Sequence, residues 1–314
     1  PLTFIVPPSS AIILLAAIYY GAMYGGAVSS ILLGIPGAST AVATTFDGRP
    51  MAQPGTAGLA LLAAAIASFV GGTVSVVLFT LFAAPLADVA LAFGPPEEFA
   101  LVLLAFTTFV GLGGDDVLKT IVMICLGLVL STVGLDLISG QPRLIFFDQP
   151  GFYSGVSFLV LAIGVYGIGE VLHTIETSKS APAVTPAKLT FRELGYGLRE
   201  MNKLWKTMSF GSVMGFFVGM LPAAGATPAA LMAYGLAKTT SKKPETFGKG
   251  NIEGVAAPET ANNAASTGSL LPMLTLGIPG SPTTALLLGG MVMWGLVPGP
   301  MLFIEQPDFV WGLI

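Results

Sequence analysis

Long apolar runs dominate the chain, and they exceed what the interior of a soluble domain uses. Residues 10–33 form the first, which breaks at Gly34-Ile35-Pro36-Gly37 and resumes over 38–46. Residues 57–83 form a second, 98–113 a shorter one, 117–138 a full span with Lys119 near its start, and 152–172 another. A polar stretch from His173 to Thr207 follows. Then come 208–237, broken at Leu221-Pro222-Ala223-Ala224-Gly225, and 258–296, broken at Gly277-Ile278-Pro279-Gly280. A helix rises 1.5 Å per residue and needs about 20 apolar residues to cross the hydrocarbon. The pattern therefore predicts membrane-spanning helices, three of them discontinuous.

Composition narrows this further. Only 10% of the 314 residues are charged and 54% are hydrophobic, against about 25% charged in an ordinary soluble domain; the mean hydropathy is +0.83. The net charge of -4 offers no basic footprint for nucleic acid. The 40 Gly and 23 Pro have no collagen period and lie in apolar surroundings, so disorder fits poorly. A lone Cys125 and a lone His173 exclude an intrachain disulfide, a structural zinc site and a multi-histidine cluster. The chain starts at Pro1 without a signal peptide pattern and stops in apolar sequence, and is read as part of a longer protein.

Charge placement orients the spans. Lys179, Lys188, Arg192, Arg199, Lys203 and Lys206 occupy one loop, and Lys238, Lys242, Lys243 and Lys249 the next, which leaves only Arg49, Lys119 and Arg143 elsewhere. By the positive-inside rule both loops are cytoplasmic. Between them lie roughly 30 residues, whereas two full helices need about 40. A re-entrant hairpin with its tip at Pro222 to Pro228 satisfies both constraints, since irregular backbone at depth is tolerated where it lines protein or a water cavity. Four spans then separate the first broken segment from the basic loop. Segments 10–46 and 258–296 therefore cross in opposite directions, with Arg49 and Lys119 cytoplasmic and Arg143 the exception.

The two Gly-Ile-Pro-Gly tetrapeptides are identical, and aligning them pairs Gly25 with Gly268, Ala22 with Ala265 and Thr40 with Thr283. Paired, interrupted spans of opposite orientation are the sequence pointer to the midplane site of a secondary transporter. Breaking a helix frees carbonyls at the end of its first half and N–H groups at the start of its second; the former suit a cation and the latter an anion. Ser39 or Thr40, and Ser281 with Pro282, resemble N-caps and first-turn residues of the second half-helices. Glu259, Asn262, Asn263, Ser266 and Ser269 share one helix face before the second break, as Tyr19, Tyr20, Tyr24 and Gly25 do before the first. No Lys or Arg lies in 250–314, so an anion there relies on helix ends, hydroxyls and amides.

Plainer readings apply to several of these residues. An isolated Gly/Pro break is often a simple kink. Asn262 and Asn263 also suit hydrogen bonding between helices, and Ser29, Ser30, Ser68, Gly72, Gly127 and Ser131 suit close helix packing. Glu259, near the start of its span, is placed at the interface; His173 and Cys125 are structural; Asp88, Asp115 and Asp116 are loop or cap residues. An intramembrane hydrolase finds no support, because neither HExxH nor GxSxG occurs.

The run Tyr20-Gly21-Ala22-Met23-Tyr24-Gly25-Gly26, continuing through Ser29-Ser30-Ile31-Leu32 and Gly34-Ile35-Pro36-Gly37 to Asp47-Gly48-Arg49-Pro50-Met51-Ala52, resembles the large membrane subunit of the tripartite tricarboxylate transporters. So do Gly219-Met220-Leu221-Pro222, the segment 241–248, Glu253-Gly254-Val255-Ala256-Ala257-Pro258-Glu259 with Ala261-Asn262-Asn263-Ala264-Ala265, and Leu276-Gly277-Ile278-Pro279-Gly280-Ser281. The resemblance covers nearly the whole chain. It implies cation-driven uptake of a di- or tricarboxylate, with a small integral-membrane subunit and an extracytoplasmic solute-binding protein as partners. It also implies an N-terminal hairpin preceding Pro1, the counterpart of 208–237.

The expectation is thus an all-α polytopic protein of a bacterial inner membrane, an inverted-repeat secondary transporter with discontinuous helices and a re-entrant hairpin. Residues 1–172 form the first repeat, 173–207 a basic cytoplasmic linker and 208–314 the second repeat. Candidate substrate ligands are Ser39, Thr40, Gly225, Thr227, Asn263, Ser281 and Thr283. Candidate cation ligands are Gly34, Pro36, Asn262, Gly277 and Pro279, for sodium or alternatively a proton, with no other cofactor. A passive channel or a substrate-free scaffold subunit is the alternative, since re-entrant loops also build filters.

Overall fold

The computed structural model describes residues 5–91, 117–135, 141–145, 149–156, 189–221 and 225–313, with isolated positions between them. The runs at 98–113 and 152–172 lie mostly outside the described residues, and His173, Asp115, Asp116 and the tip residues Pro222, Ala223 and Ala224 lie wholly outside. The chain divides into two compact units, residues 1–98 with 182–314 and residues 99–181.

In the larger unit, α1 (Pro8–Leu33) starts on Pro8 and stops where Gly34 turns left-handed, with φ 74°. A short turn (Ser39–Ala41) leads into α2 (Val42–Met51), and a wide turn with Gly55 at φ 98° joins it to α3 (Ala57–Leu91). The helix α1 and the stretch from Ser39 to Asp88 are both long and apolar enough to cross a membrane. In the smaller unit, α4 (Val117–Ser131) is followed by a two-stranded antiparallel ladder, β1 (Gly134–Leu135) with β2 (Pro142–Arg143), paired Gly134 to Arg143. The span expected over 117–138 therefore ends at Ser131, and Cys125 on it is exposed.

The larger unit resumes with α5 (Phe191–Lys203), α6 (Trp205–Met220), α7 (Ala226–Thr240), α8 (Glu253–Leu276), α9 (Pro282–Met293), α10 (Leu302–Glu305) and α11 (Pro307–Leu313). The basic segment 173–207 thus contains a helix that its polarity concealed. Thr190 opens it with a capping box: its hydroxyl accepts from the Glu193 N–H, and the Glu193 carboxylate accepts from the Thr190 N–H. These bonds hold the exposed Glu193 carboxyl below its usual range.

Helix α8 is the axis of this unit, with every residue from Gly254 to Thr275 buried. Lipid is as apolar as Leu, so burying apolar side chains between spanning helices contributes little; close packing and interhelical hydrogen bonds hold them. Gly211, Gly215 and Gly219 recur every fourth residue of α6 and lie against Ala257, Ala261 and Ala265 of α8. A Cβ on Gly215 or Gly219 would strike the α8 backbone, whereas one on Gly211 would make ordinary contact at 3.5 Å. Gly71 of α3 meets the Thr260 backbone in the same way, and Gly268 that of Phe216. The small residues assigned to packing from sequence fare unevenly. Gly72 and Gly127 face open space, and Ser30 instead bridges the first break, donating to both the Gly26 and Ala41 carbonyls at 3.0 Å.

Candidate functional site at three helix breaks

The two Gly-Ile-Pro-Gly breaks share one backbone geometry. Gly34 and Gly277 cap α1 and α8 at φ/ψ of 74°/16° and 69°/16°. Four residues on, Ala38 and Ser281 are both extended, at -154°/158° and -150°/163°, and both precede the next helical turn. Identical tetrapeptides thus produce identical turns because Gly alone occupies the left-handed position without strain and Pro restricts the residue before it. The copies differ at the cap. Ser281 forms a capping box with Thr284 at the start of α9, while the corresponding cap of the first copy is Ala38, which has no hydroxyl, and Ser39 and Thr40 sit one and two residues inside.

The residues that open α7 meet both breaks. The Thr227 hydroxyl in the first turn of α7 donates to Ser39 Oγ at 3.1 Å. Gly225, at φ 62°, lies with its Cβ direction 3.5 Å from the Gly280 carbonyl and from Ser281 Cβ. Tyr19 of α1 reaches across, sharing hydrogen bonds with Ser281 at 3.3 Å and Ser269 at 3.4 Å. Three helix N-termini, those of α7, α9 and the turn leading into α2, therefore converge on Ser39, Gly225, Thr227 and Ser281. Their N–H groups and dipoles favour an anion, and the hydroxyls of Tyr19, Ser39, Thr227, Ser281 and Thr284 meet there.

The remaining candidates distribute around this cluster. Thr283 is half-buried in the first turn of α9, and Thr40 donates to the Met23 sulfur at 3.7 Å. Asn263 lies on another side of α8: its amide donates to the Glu259 carbonyl at 3.0 Å and lines a cavity of about 680 Å³ between α1 and α3, with Tyr20 and Ser68. Asn262 is fully buried, and neither side-chain polar atom has a partner. Its position, one turn before Ser266 and two before Ser269, places it on the α8 face that carries Ser269 to the second break. A buried amide left unmatched is costly, which marks this face as one that a ligand can complete.

The carbonyl ends of the two breaks are not equally open. Arg49 of α2 donates a guanidinium N–H to the Leu32 carbonyl, so the negative end of α1 beside Gly34 and Pro36 already has a cationic partner. At the end of α8, beside Gly277 and Pro279, the Met273 and Leu274 carbonyls accept from the Gly277 and Gly299 N–H groups at 3.2 and 2.9 Å.

Two acidic residues were underrated in the sequence. Glu259, placed at the interface by its position near the start of the predicted span, is completely buried; α8 begins at Glu253, which puts Glu259 nearly two turns inside. Asp47 is also fully buried. It accepts from the Gly248, Gly250 and Asn251 N–H groups at 2.7–3.0 Å and from the Tyr234 hydroxyl at 2.9 Å. Gly248 and Gly250 are left-handed, at φ 80° and 98°, which turns successive N–H groups inward as an anion nest. Asp47 fills it and fastens α2 to the loop that leads into α8. In the sequence Asp47 stands out only as the start of the run Asp47-Gly48-Arg49-Pro50-Met51-Ala52.

The sequence model of the Tripartite tricarboxylate transporter TctA family matches residues 1–314. An uncharacterized 52.8 kDa protein in the TAR-I ttuC' 3' region of Agrobacterium vitis is 40% identical over all 314 residues, which span 62% of that relative. An uncharacterized protein in the TAR-II ttuC' 3' region of the same organism is 47% identical over 100 residues, 32% of this chain and 41% of the relative. No solved structure matches.

Proposed function

The chain belongs to the tripartite tricarboxylate transporter TctA family, and from that premise we propose that it is the membrane-embedded subunit of a cation-coupled secondary transporter for di- or tricarboxylates. The single observation carrying the reading is the convergence of three helix N-termini through the Thr227–Ser39 hydrogen bond and the Gly225–Ser281 contact. A carboxylate bound there would take N–H groups and the hydroxyls of Ser39, Thr40, Thr227, Ser281 and Thr283, with Asn263 approached from the neighbouring cavity. The matched backbone of the two breaks supports an inverted repeat, 1–172 against 208–314 across the basic linker 173–207, with the α6–α7 pair as a re-entrant hairpin. The coupling cation, sodium or a proton, would use the orphaned Asn262 and the carbonyl end of α8 at Gly277 and Pro279. The Arg49 contact makes Gly34 and Pro36 the weaker pair. A small integral-membrane subunit and a solute-binding protein outside a bacterial inner membrane complete the proposed system.

Uptake of radiolabelled citrate and succinate into proteoliposomes holding the whole complex tests this reading. Accumulation that needs both a cation gradient and the binding protein is expected. Flux that persists without either would establish a passive channel instead.

A further inference from the structure

Glu259 is a completely buried carboxyl on the central helix of the unit, and its hydrogen-bond partners are neutral. Thr44 of α2 donates its hydroxyl to Oε1, and Ser68 of α3 donates to Oε2 at 3.2 Å. Neither Lys, Arg nor His forms an ion pair with it among the described residues. Two neutral hydroxyls do not offset the desolvation of a full charge, so a carboxyl in this position takes a neutralising partner or holds a proton. Ionisable groups inside the membrane are rare for this reason and mark ion or proton pathways.

The choice of hydroxyls is informative. A hydroxyl both donates and accepts, so Thr44 and Ser68 can serve the ionised carboxylate as donors and, when one rotates, accept from the protonated acid. Lys or Arg could serve only the ionised form. One turn further along the same helix, the Asn262 amide is fully buried and unpartnered among the described residues. Around Glu259, α1 contributes the titratable Tyr24, packed against the cluster that holds Val255 and Ala256 of α8. On α2 are Asp47, held by Tyr234 and the 248–251 loop, and Arg49, bonded to the Leu32 carbonyl. On α3 the charged residue is Asp88 near its far end, on α6 Lys206 in the first turn, and on α7 Tyr234 and Lys238. Tyr24 is thus the titratable neighbour, and Glu259 the group able to change charge within this packing.

We propose that Glu259 is the proton-loading carboxyl of the transport cycle. An oxygen of Glu259 binds a proton from one aqueous side to form the neutral acid and releases it to the other, and Thr44 transmits the change to α2, the half-helix after the first break. The proposal rests on the transporter reading above and narrows its cation to a proton.

The test uses the complete complex in sodium-free proteoliposomes with an imposed pH gradient, and radiolabelled citrate and succinate as probes. Wild-type protein is expected to accumulate a probe; Glu259→Gln is expected to lose accumulation while counterflow exchange continues, and Glu259→Asp to retain gradient-driven accumulation. Infrared titration of the purified full-length protein is expected to show a protonated-carboxyl band that disappears in Glu259→Gln. Accumulation by Glu259→Gln equal to wild type, accumulation by wild type on a sodium gradient alone, or an unchanged carboxyl band in the variant would each overturn the proposal. Failure of wild type to exchange either probe would count against the transporter reading, and the infrared band would still decide whether Glu259 binds a proton.

Discussion

Thr227, in the first turn after the hairpin tip, donates its hydroxyl to Ser39, in the turn after the first helix break, over 3.1 Å. Removing either hydroxyl should cost about 1 kcal/mol, roughly fivefold in apparent substrate affinity. Because they are one interaction, Ser39→Ala with Thr227→Val should be little worse than either alone. Fully additive effects on uptake KM would show that the two hydroxyls act independently.

The α6 glycine stripe separates packing from composition. Gly215→Ala and Gly219→Ala each place a methyl into the α8 backbone and should destabilise by about 1–3 kcal/mol, the usual range for overpacking. Gly211→Ala, with 3.5 Å of clearance, should lie within about 1 kcal/mol of wild type. Melting temperatures of the detergent-purified protein check the order, which fails if Gly211→Ala melts with the other two.

Asp47→Asn exchanges one acceptor oxygen for an NH₂ that faces backbone N–H donors. The charged hydrogen bonds lost make a destabilisation of about 2–3 kcal/mol the expected result, against about 1 kcal/mol for Tyr234→Phe. The 241–252 loop should then open, which limited trypsin cleavage after Lys242 and Lys249 would register. An unchanged cleavage rate in Asp47→Asn would show that the nest does not hold the loop.

At the left-handed caps, Gly277→Ala meets open space and should cost only backbone strain, about 1–2 kcal/mol. Gly34→Ala carries the same strain and also presses on the Arg49 side chain at 3.1 Å, so it should be the worse of the two. Gly277→Asn, whose side chain tolerates this conformation, should be milder than Gly277→Ala. Thermal stability and uptake measured together decide the ranking.

The α5 cap gives a pH dependence of known sign. The Glu193 carboxyl is held below its usual range by the Thr190 N–H and hydroxyl. Its contribution to the first turn is therefore complete above the unfolded carboxylate pKa and is lost as pH falls through the depressed folded value. Amide exchange in the first turn should accelerate on acidification relative to the helix middle, and Thr190→Ala should abolish that difference. A first turn whose relative exchange ignores pH would refute the cap's role.

Much of the architecture was legible because lipid imposes simple rules. Helix ends at Leu33, Met220 and Leu276 follow from Gly and Pro, whose backbone preferences act locally. The α5 helix was hidden, since a polar helix carries no hydropathy signal and only Thr190 with Glu193 announced it. The burial of Glu259 is not legible in the sequence, because span edges drawn from hydropathy exclude the polar first turns of a helix buried by its neighbours. Asp47 was passed over because its partners at 248–251 are backbone groups, which have no signature in sequence.

From sequence alone came the membrane setting, the three breaks and the equal turns at Gly34 and Gly277, all consequences of local stereochemistry and of the length a helix needs in hydrocarbon. Tertiary structure alone decided which breaks meet and which charges are buried. That Thr227 and Gly225 meet the chain at both breaks, that Arg49 closes the end of α1, and that Glu259 rests among hydroxyls depend on helix faces brought together by the Gly211, Gly215 and Gly219 stripe. Such contacts join residues about 200 positions apart, and no local preference encodes them.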